Sequence, residues 1–451
     1  MKLLDHLKNG DGEQFAIFSA DKSIRYSEIA EKAENYTGLL SGKKIAFHCS
    51  DVIDAVVFMA SMDGFGSALI LLHPEECLNI TAELIKISNA DIVISENVED
   101  LKKLIRTPVF RSITDVVKTV SPGETLKSRI NTDWIVSTSG TTGKPKLVEH
   151  SLYSLTRTSS KNKDKEKKQS WGLLYGFTRF AGLQVVLQSL LSGSTLIAPE
   201  ISSSLKTKLS MLAKYGCTSL SATPSMWRQI LMDPSGEALA LKQITLGGEI
   251  SDDKILAALR NRYPDAYLTH IYASTEAGVG FSVKDGRSGF PASYLSNPPN
   301  GIDIKIVDGQ LWIKNDYLSS KYLGSQSHIS EDGWVNTGDS VRVTSDRVYF
   351  LGRESGIINV GGNKVHPESV ESVLLSHPLV ENAKVYGKKN PFMGSLVVAD
   401  IIVRDKDIDK KDVVKDLKEF LYIRLEPFMI PAVIKIVDNL SLNSAGKLLR
   451  K

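Results

Sequence analysis

Short apolar and β-branched runs recur through the first half of the chain: GKKIAFHCS, SALILLH, ADIVISE, DWIVSTS, STLIAPE, CTSLSAT and QITLGGE. Stretches with helical apolar spacing lie among them, DVIDAVVFMASMDGFG, LQVVLQSLLSG and DDKILAALRNRYP. Strands that alternate with helices build βαβ units, so this order predicts parallel sheets. From about Gly301 the texture changes. IDIKIVDGQLWIKND and DRVYFLGR alternate with period two, as antiparallel hairpins or a small barrel do. From about Glu354 a third texture begins, in which NKVHPESVESVLLSHP, KDVVKDLKEFLYIRL and AVIKIVD read as a compact α+β unit. The expected fold class is α/β. A large N-terminal domain, residues 1–352, has layered βαβ subdomains plus a small β-barrel, and a small α+β C-terminal domain covers 354–451.

A chain of 451 residues has room for two or three domains. Its 42% hydrophobic and 24% charged residues suit a soluble globular protein. The net charge of +3 gives no reason to expect a nucleic-acid partner. Cys49, Cys77 and Cys217 are widely spaced, which argues against a disulfide framework or a CxxC metal site and fits a reducing compartment. MKLLDHLKNGDGEQFAIF carries charge inside its apolar stretch and lacks a cleavage pattern. No uncharged run approaches the ~20 residues of a membrane span. No membrane partner is expected, and the expected setting is the cytoplasm. The biased segment KNKDKEKK, Lys161 to Lys168, reads as a solvated loop, with a docking patch for an acidic partner as the alternative.

STSGTTGKPK, Ser137 to Lys146, contributes almost nothing to a core. It follows the strand-like DWIVS and must turn. Glycines let backbone N–H groups converge on one point, hydroxyls add donors and lysines add charge, a combination suited to polyphosphate. The Walker A spacing is absent: Gly140 and Gly143 are followed by Lys144 and then Pro145. A flexible linker would gain nothing from the restricted path of Lys144-Pro145-Lys146.

Five stretches in this order resemble the adenylate-forming superfamily of acyl-CoA synthetases, luciferases and peptide-synthetase adenylation domains. TSGTTGKPK resembles its phosphate loop, and YASTEAG, Tyr272 to Gly278, its YG-x-TE signature. WVNTGD resembles W-x-x-TGD, GRESGIINVGGNKVHPESVE the hinge and following segment, and SAGKLLR the terminal GK-x-x-R. The resemblance spans roughly Thr138 to Arg450 and implies a mobile C-terminal domain.

It also implies a two-step reaction in which a carboxylate attacks the α-phosphate of ATP, expelling pyrophosphate, and a thiol then takes the acyl group from acyl-AMP. Both first-step reactants are anionic, so the site must offset repulsion and hold them in line. On this resemblance Thr138, Ser139, Gly140, Thr141, Thr142, Gly143, Lys144 and Lys146 cradle the β and γ phosphates. Thr275 contacts phosphate oxygen and Glu276 is the ligand of Mg2+. Gly248 and Glu249 belong to the segment passing the adenine, Tyr272 stacks on the ring's other face, and Ser274 lies in the same nucleotide-binding stretch. Asp339 accepts the ribose hydroxyls, and Arg353 contacts ribose and phosphate. Lys447 is the adenylation lysine, a point charge opposing the negative charge that develops in transfer. Ser441 and Asn443 stand where the family usually has Pro and Thr, so the Lys447 loop is expected to be less preorganised. Ser355 corresponds to the hinge, and Gly361 and Gly362 give the pantetheine arm close passage past backbone.

LLYGFTRFAGLQ occupies the family's substrate-gate position. Tyr175, Phe177, Phe180, Thr223 and Ala273 are the expected acid pocket. None of Tyr175 to Gly182 is acidic, which disfavours an α-amino acid. A planar aryl acid or a short to medium acyl acid fits best. Arg179 is expected to face solvent, with a second substrate carboxylate or a phenolate as its alternative partner. The expected acceptor is CoA. The alternatives are the phosphopantetheine arm of an acyl carrier protein, which KNKDKEKK would suit, or a non-catalytic sensor of nucleotide or acyl-adenylate.

Overall fold

The computed structural model describes residues 2–37, 40–119, 129–138, 145–159, 169–275, 278–315, 322–323, 330, 332–404, 409–443 and 446–448. Two mixed sheets dominate the first 283 residues. One has eight strands in the spatial order Gly278–Val283, Tyr267–Ser274, Gln243–Gly247, Ser219–Ala222, Ser170–Gly172, Thr195–Ala198, Phe15–Ser19 and Lys22–Arg25. Its interior pairs are parallel, and its two outermost strands run antiparallel to their neighbours. The other has seven strands. Asp133–Ser137, Ala68–Leu71, Lys44–His48, Ile92–Ser95 and Val109–Phe110 are parallel, and Leu147–His150 and Tyr322–Leu323 extend one edge antiparallel. The predicted parallel sheets are therefore present.

Helices pack between these sheets. Val52–Met62 buries every residue except Asp54, and Phe180–Leu191 buries nine of twelve. A helix apolar all round belongs inside a protein, and these two share one core with residues of both sheets, including Ile17, Leu69, Trp134 and Leu196. Asp51 caps the first of them, its carboxylate accepting from the N–H groups of Ile53 and Asp54. Asp63 follows that helix and accepts from Leu3 N–H at 2.8 Å and from Trp134 Nε1 at 3.2 Å, pinning helix Leu3–Lys8 to the strand that leads into Thr138.

The period-two segments form a five-stranded antiparallel half-barrel, in the order Phe290–Pro291, Arg347–Arg353, Trp334–Val343, Gln310–Asn315 and Ile302–Val307. A fourth sheet joins Asn363–Val365, Ile358–Val360, Gly394–Val403, Val380–Asn390 and Val433–Ile436, with helices Pro367–Ser376 and Lys410–Tyr422 and a core of its own. Cys49 and Cys217 are buried, Cys77 is exposed, and all three are free. Among the described residues no helix is long and apolar enough to cross a membrane.

Candidate active site

Strands Ser170–Gly172, Ser219–Ala222, Gln243–Gly247 and Tyr267–Ser274 are mutually parallel neighbours, so their carboxyl ends share one edge. In open α/β sheets that edge is where ligands bind. Here it delivers Tyr175, Thr223, Gly248 with Glu249, and Ser274 with Thr275 to one region. The segment around Lys447 lies across it. Thr223 caps helix Pro224–Met232, its Oγ1 accepting from Met226 N–H at 3.1 Å, while its hydroxyl donates to the Gly446 carbonyl. Glu249 divides its carboxylate, one oxygen accepting from Ser225 N–H at 2.9 Å and the other from Leu448 N–H at 3.1 Å. Gly248 has φ +82°, and a Cβ there would lie 3.2 Å from Lys447 Cε and 3.8 Å from Nζ. The absent side chain is what lets Lys447 cross the backbone.

Asn443 makes three hydrogen bonds within this segment. Its Oδ1 accepts from Lys447 N–H at 3.0 Å and its N–H donates to the Lys447 carbonyl at 2.8 Å. Its own carbonyl accepts from Gly446 N–H at 2.8 Å. The amide side chain thus ties Asn443 to Lys447.

A second cluster joins three predicted residues. Asp339 and Arg353 are register partners in the half-barrel. Arg353 Nε donates to Asp339 at 3.1 Å, and the Tyr272 hydroxyl donates to the other carboxylate oxygen. Burial first and the Asp339 charge second hold the Tyr272 phenol well above its ordinary pKa, so it stays a neutral donor. The Tyr272 ring stacks on Phe281 and Phe350, with centroids 5.2 and 5.1 Å away. Gly338, at φ +70°, lies where strand Trp334–Val343 bulges just before Asp339, its N–H held by Asn336 Oδ1 at 2.8 Å.

The root of the hydroxyl-rich loop is closed by its own ends. Thr138 N–H donates to the Lys146 carbonyl at 2.8 Å, and Lys146 N–H to Thr138 Oγ1 at 2.9 Å. Ser139, Gly140, Thr141, Thr142, Gly143 and Lys144 lie outside the described residues, as does Glu276. Arg179 is a correction. It does not face solvent: its side chain is 7% exposed and meets Glu76 at 2.7 Å. Its guanidinium also donates to Ser137 Oγ at 3.1 Å and to the Thr138 carbonyl at 2.8 Å. A lone charge in the otherwise uncharged run LLYGFTRFAGLQ was the available signal, because a charge inside an apolar run is stable only when paired. His73 packs beside it. Its Nδ1 accepts from Glu75 N–H, its Nε2 has no partner among the described residues, and a Cβ on Gly176 would reach that nitrogen at 2.4 Å.

A cavity of about 420 Å³ opens beside the Lys447 loop. Tyr175, Phe177, Lys22, Lys208, Asn443 and Gly446 are among its walls. Of the residues expected around the acid, Tyr175 and Phe177 line this cavity; Phe180 packs on His150 and Ala273 against the inter-sheet core. Gly361 and Gly362, both at positive φ, turn the hairpin of the C-terminal sheet, where Gly361 N–H donates to the Met393 carbonyl. Ser355 is exposed in the single 3-10 turn Glu354–Gly356 between Arg353 and strand Ile358–Val360.

This layered α/β fold seats a lysine loop on the carboxyl edge of parallel strands, where open α/β sheets bind their ligands. The model of the AMP-binding enzyme family matches residues 6–323, that of the AMP-binding enzyme C-terminal domain matches 369–447, and the chain belongs to this family. It is 24% identical to bacitracin synthase 3 of Bacillus licheniformis over 97% of its own length and 8% of that protein's. It is 25% identical to the 2-succinylbenzoate–CoA ligase of Bacillus licheniformis over 97% of its length and 96% of the ligase's. The chain therefore spans a small part of the peptide synthase and almost all of the ligase. Its fold matches the o-succinylbenzoate CoA synthetase of Bacillus subtilis in complex with its acyl-adenylate intermediate. The TM-score is 0.76 at 20% identity, covering 99% of this chain and 96% of that one.

Proposed function

We propose that the chain is an ATP-dependent acid–thiol ligase. It activates a carboxylic acid as acyl-AMP, releasing pyrophosphate, and passes the acyl group to the thiol of CoA. The observation that carries this reading is the seat of Lys447: Thr223 and Glu249 hold its loop on the carboxyl edge of the sheet, and Gly248 leaves its side chain room to pass. A fixed ammonium there offsets the charge of two approaching anions and stabilises the charge that develops at the α-phosphate.

Asp339 is the candidate for the ribose hydroxyls. Tyr272 and Arg353 fix its carboxylate, and each oxygen keeps acceptor capacity beyond the bond it already makes. Arg353 adds positive charge near the phosphate. Ser139 to Lys144 of the phosphate loop and Glu276, the candidate Mg2+ ligand, lie outside the described residues; when bound, the ion would neutralise phosphate charge. The near full-length match to a CoA ligase supports CoA as acceptor and a carboxylic acid without an α-ammonium as substrate. The substrate class is an aryl or a short to medium acyl acid. The two domains are assigned as 1–352 and 354–451.

ATP–pyrophosphate exchange across aryl, short-chain, medium-chain and α-amino acids tests the reading. Exchange confined to the first three classes, followed by thioester formation with CoA, is expected. Exchange only with α-amino acids would overturn the substrate class. Acyl transfer to a holo carrier protein but not to CoA would overturn the acceptor, and bound nucleotide without exchange for any acid would leave a sensor.

A further inference from the structure

The connection that follows strand Gln243–Gly247 does more than carry Gly248 and Glu249. It ends in helix Asp253–Arg262, whose second residue is Lys254. The Lys254 ammonium donates to the carbonyls of Leu375 at 2.5 Å, Val380 at 2.9 Å and His377 at 3.3 Å. These carbonyls belong to the end of helix Pro367–Ser376 and the start of strand Val380–Asn390, both in the C-terminal sheet unit. The last carbonyls of a helix have no partner within it and form the negative end of its dipole. Lys254 therefore caps a C-terminal-domain helix from the large domain, and one short connection grips that domain twice. Glu249 holds Leu448 at the lysine loop, and Lys254 holds the helix end.

We propose that Lys254 is a positioning residue for the adenylation step, keeping the C-terminal domain where Lys447 reaches the site. It acts through Lys447 and touches no reacting atom. The proposal rests on the ligase reading for its kinetic consequence but not for its structural one. Thiol transfer does not need Lys447 in place, so loss of the clasp separates the two half-reactions. A lysine with only a local structural role would not do this.

The test compares full-length wild type, Lys254→Met and Lys254→Arg. Met keeps the stem and removes every donor; Arg restores charge and donors. Hydrogen exchange is measured over residues 440–448 without ligand. Lys254→Met should speed exchange there by about tenfold, as loss of a charged hydrogen-bond set implies, while strands Gln243–Gly247 and Tyr267–Ser274 stay protected. Lys254→Arg should recover part of the protection. Wild-type exchange over 440–448 in Lys254→Met overturns the proposal, as does loss of protection throughout both strands. In kinetics, pyrophosphate exchange should fall by about tenfold in Lys254→Met and thioester formation from supplied acyl-AMP should persist. Equal loss of both half-reactions also overturns it. If wild type shows no pyrophosphate exchange, the ligase reading fails, and the hydrogen-exchange result still decides the clasp.

Discussion

Replacing Arg179 by Met removes a buried guanidinium and leaves its partners behind. Glu76 loses its counter-charge, and the Thr138 carbonyl and Ser137 hydroxyl lose a donor. Breaking a buried pair by deleting one partner costs about 3–5 kcal/mol, because the remaining charge stays desolvated. The Glu76 side chain is 18% exposed and recovers some hydration, which puts the expected loss near the lower end, about 3 kcal/mol. Urea unfolding followed by tryptophan fluorescence is a suitable assay, since Trp134 is fully buried on the strand leading to Thr138. Glu76→Gln in the Arg179→Met background removes the stranded charge, so the double variant should be more stable than Arg179→Met alone. Because Arg179 also holds the root of the hydroxyl-rich loop, the KM for ATP should rise. A change within about 0.5 kcal/mol, the range of ordinary surface substitutions, would refute the buried-pair argument. So would single effects that simply add in the double variant.

Lys447→Ala should slow acyl-AMP formation by about 10²–10³ while sparing thioester formation from supplied acyl-AMP; equal loss of both would remove it from its assigned role. Ser355→Pro should leave a pyrophosphate burst but block passage of the acyl group to CoA, because proline fixes φ in the exposed turn after Arg353; a folded variant with normal turnover places the hinge elsewhere. Ala273→Trp should shift the acid series toward smaller acids, by about 1–3 kcal/mol per methylene, and an unchanged profile would put Ala273 outside the acid pocket. His73 is held at a pKa of about 3, against an ordinary 6.5, by burial first and the Arg179 charge second. Below 6.5 the unfolded chain binds a proton that the folded chain refuses until about 3, so stability is lost as pH falls through that window, by up to about 1.4 kcal/mol per unit. Urea midpoints at pH 7 and pH 5 should drop less for His73→Gln than for wild type, and equal drops would contradict this.

What could be read from the sequence was whatever depends on neighbours along the chain. The alternation of apolar runs with helical spacing foretold the parallel sheets, and period two foretold the half-barrel, because backbone periodicity decides which face a residue presents. Motif residues such as Tyr272, Asp339 and Arg353 were recognisable one by one, and the register of strands Trp334–Val343 and Arg347–Arg353 joins two of them directly. The partners chosen across long separations could not be read. Glu249 looked like part of a nucleotide-binding stretch, yet its described bonds are to Ser225 and to Leu448, 24 and 199 residues away. Nothing in DDKILAALRNRYP singles out Lys254, and Asn443 reads as a departure from the family pattern. Glu249 and Lys254 gain their meaning from the C-terminal unit lying against the carboxyl edge of the large sheet, an arrangement that local propensity does not encode.

The contacts made from the connection after Gly247 and the helix that follows it suit the domain movement that the proposed function requires. They are polar, directional contacts to backbone groups: a carboxylate to one N–H and an ammonium to helix-end carbonyls. Such contacts can be exchanged for water when the domains part, whereas exposing a buried apolar face would cost about 25 cal/mol for every Å². On the proposed reading the C-terminal domain leaves the site within each catalytic cycle, and hydrogen bonds suit that better than a shared core would. Its own separate core, built around Val365, Leu374, Val385 and Leu417, would let it make that movement without unfolding.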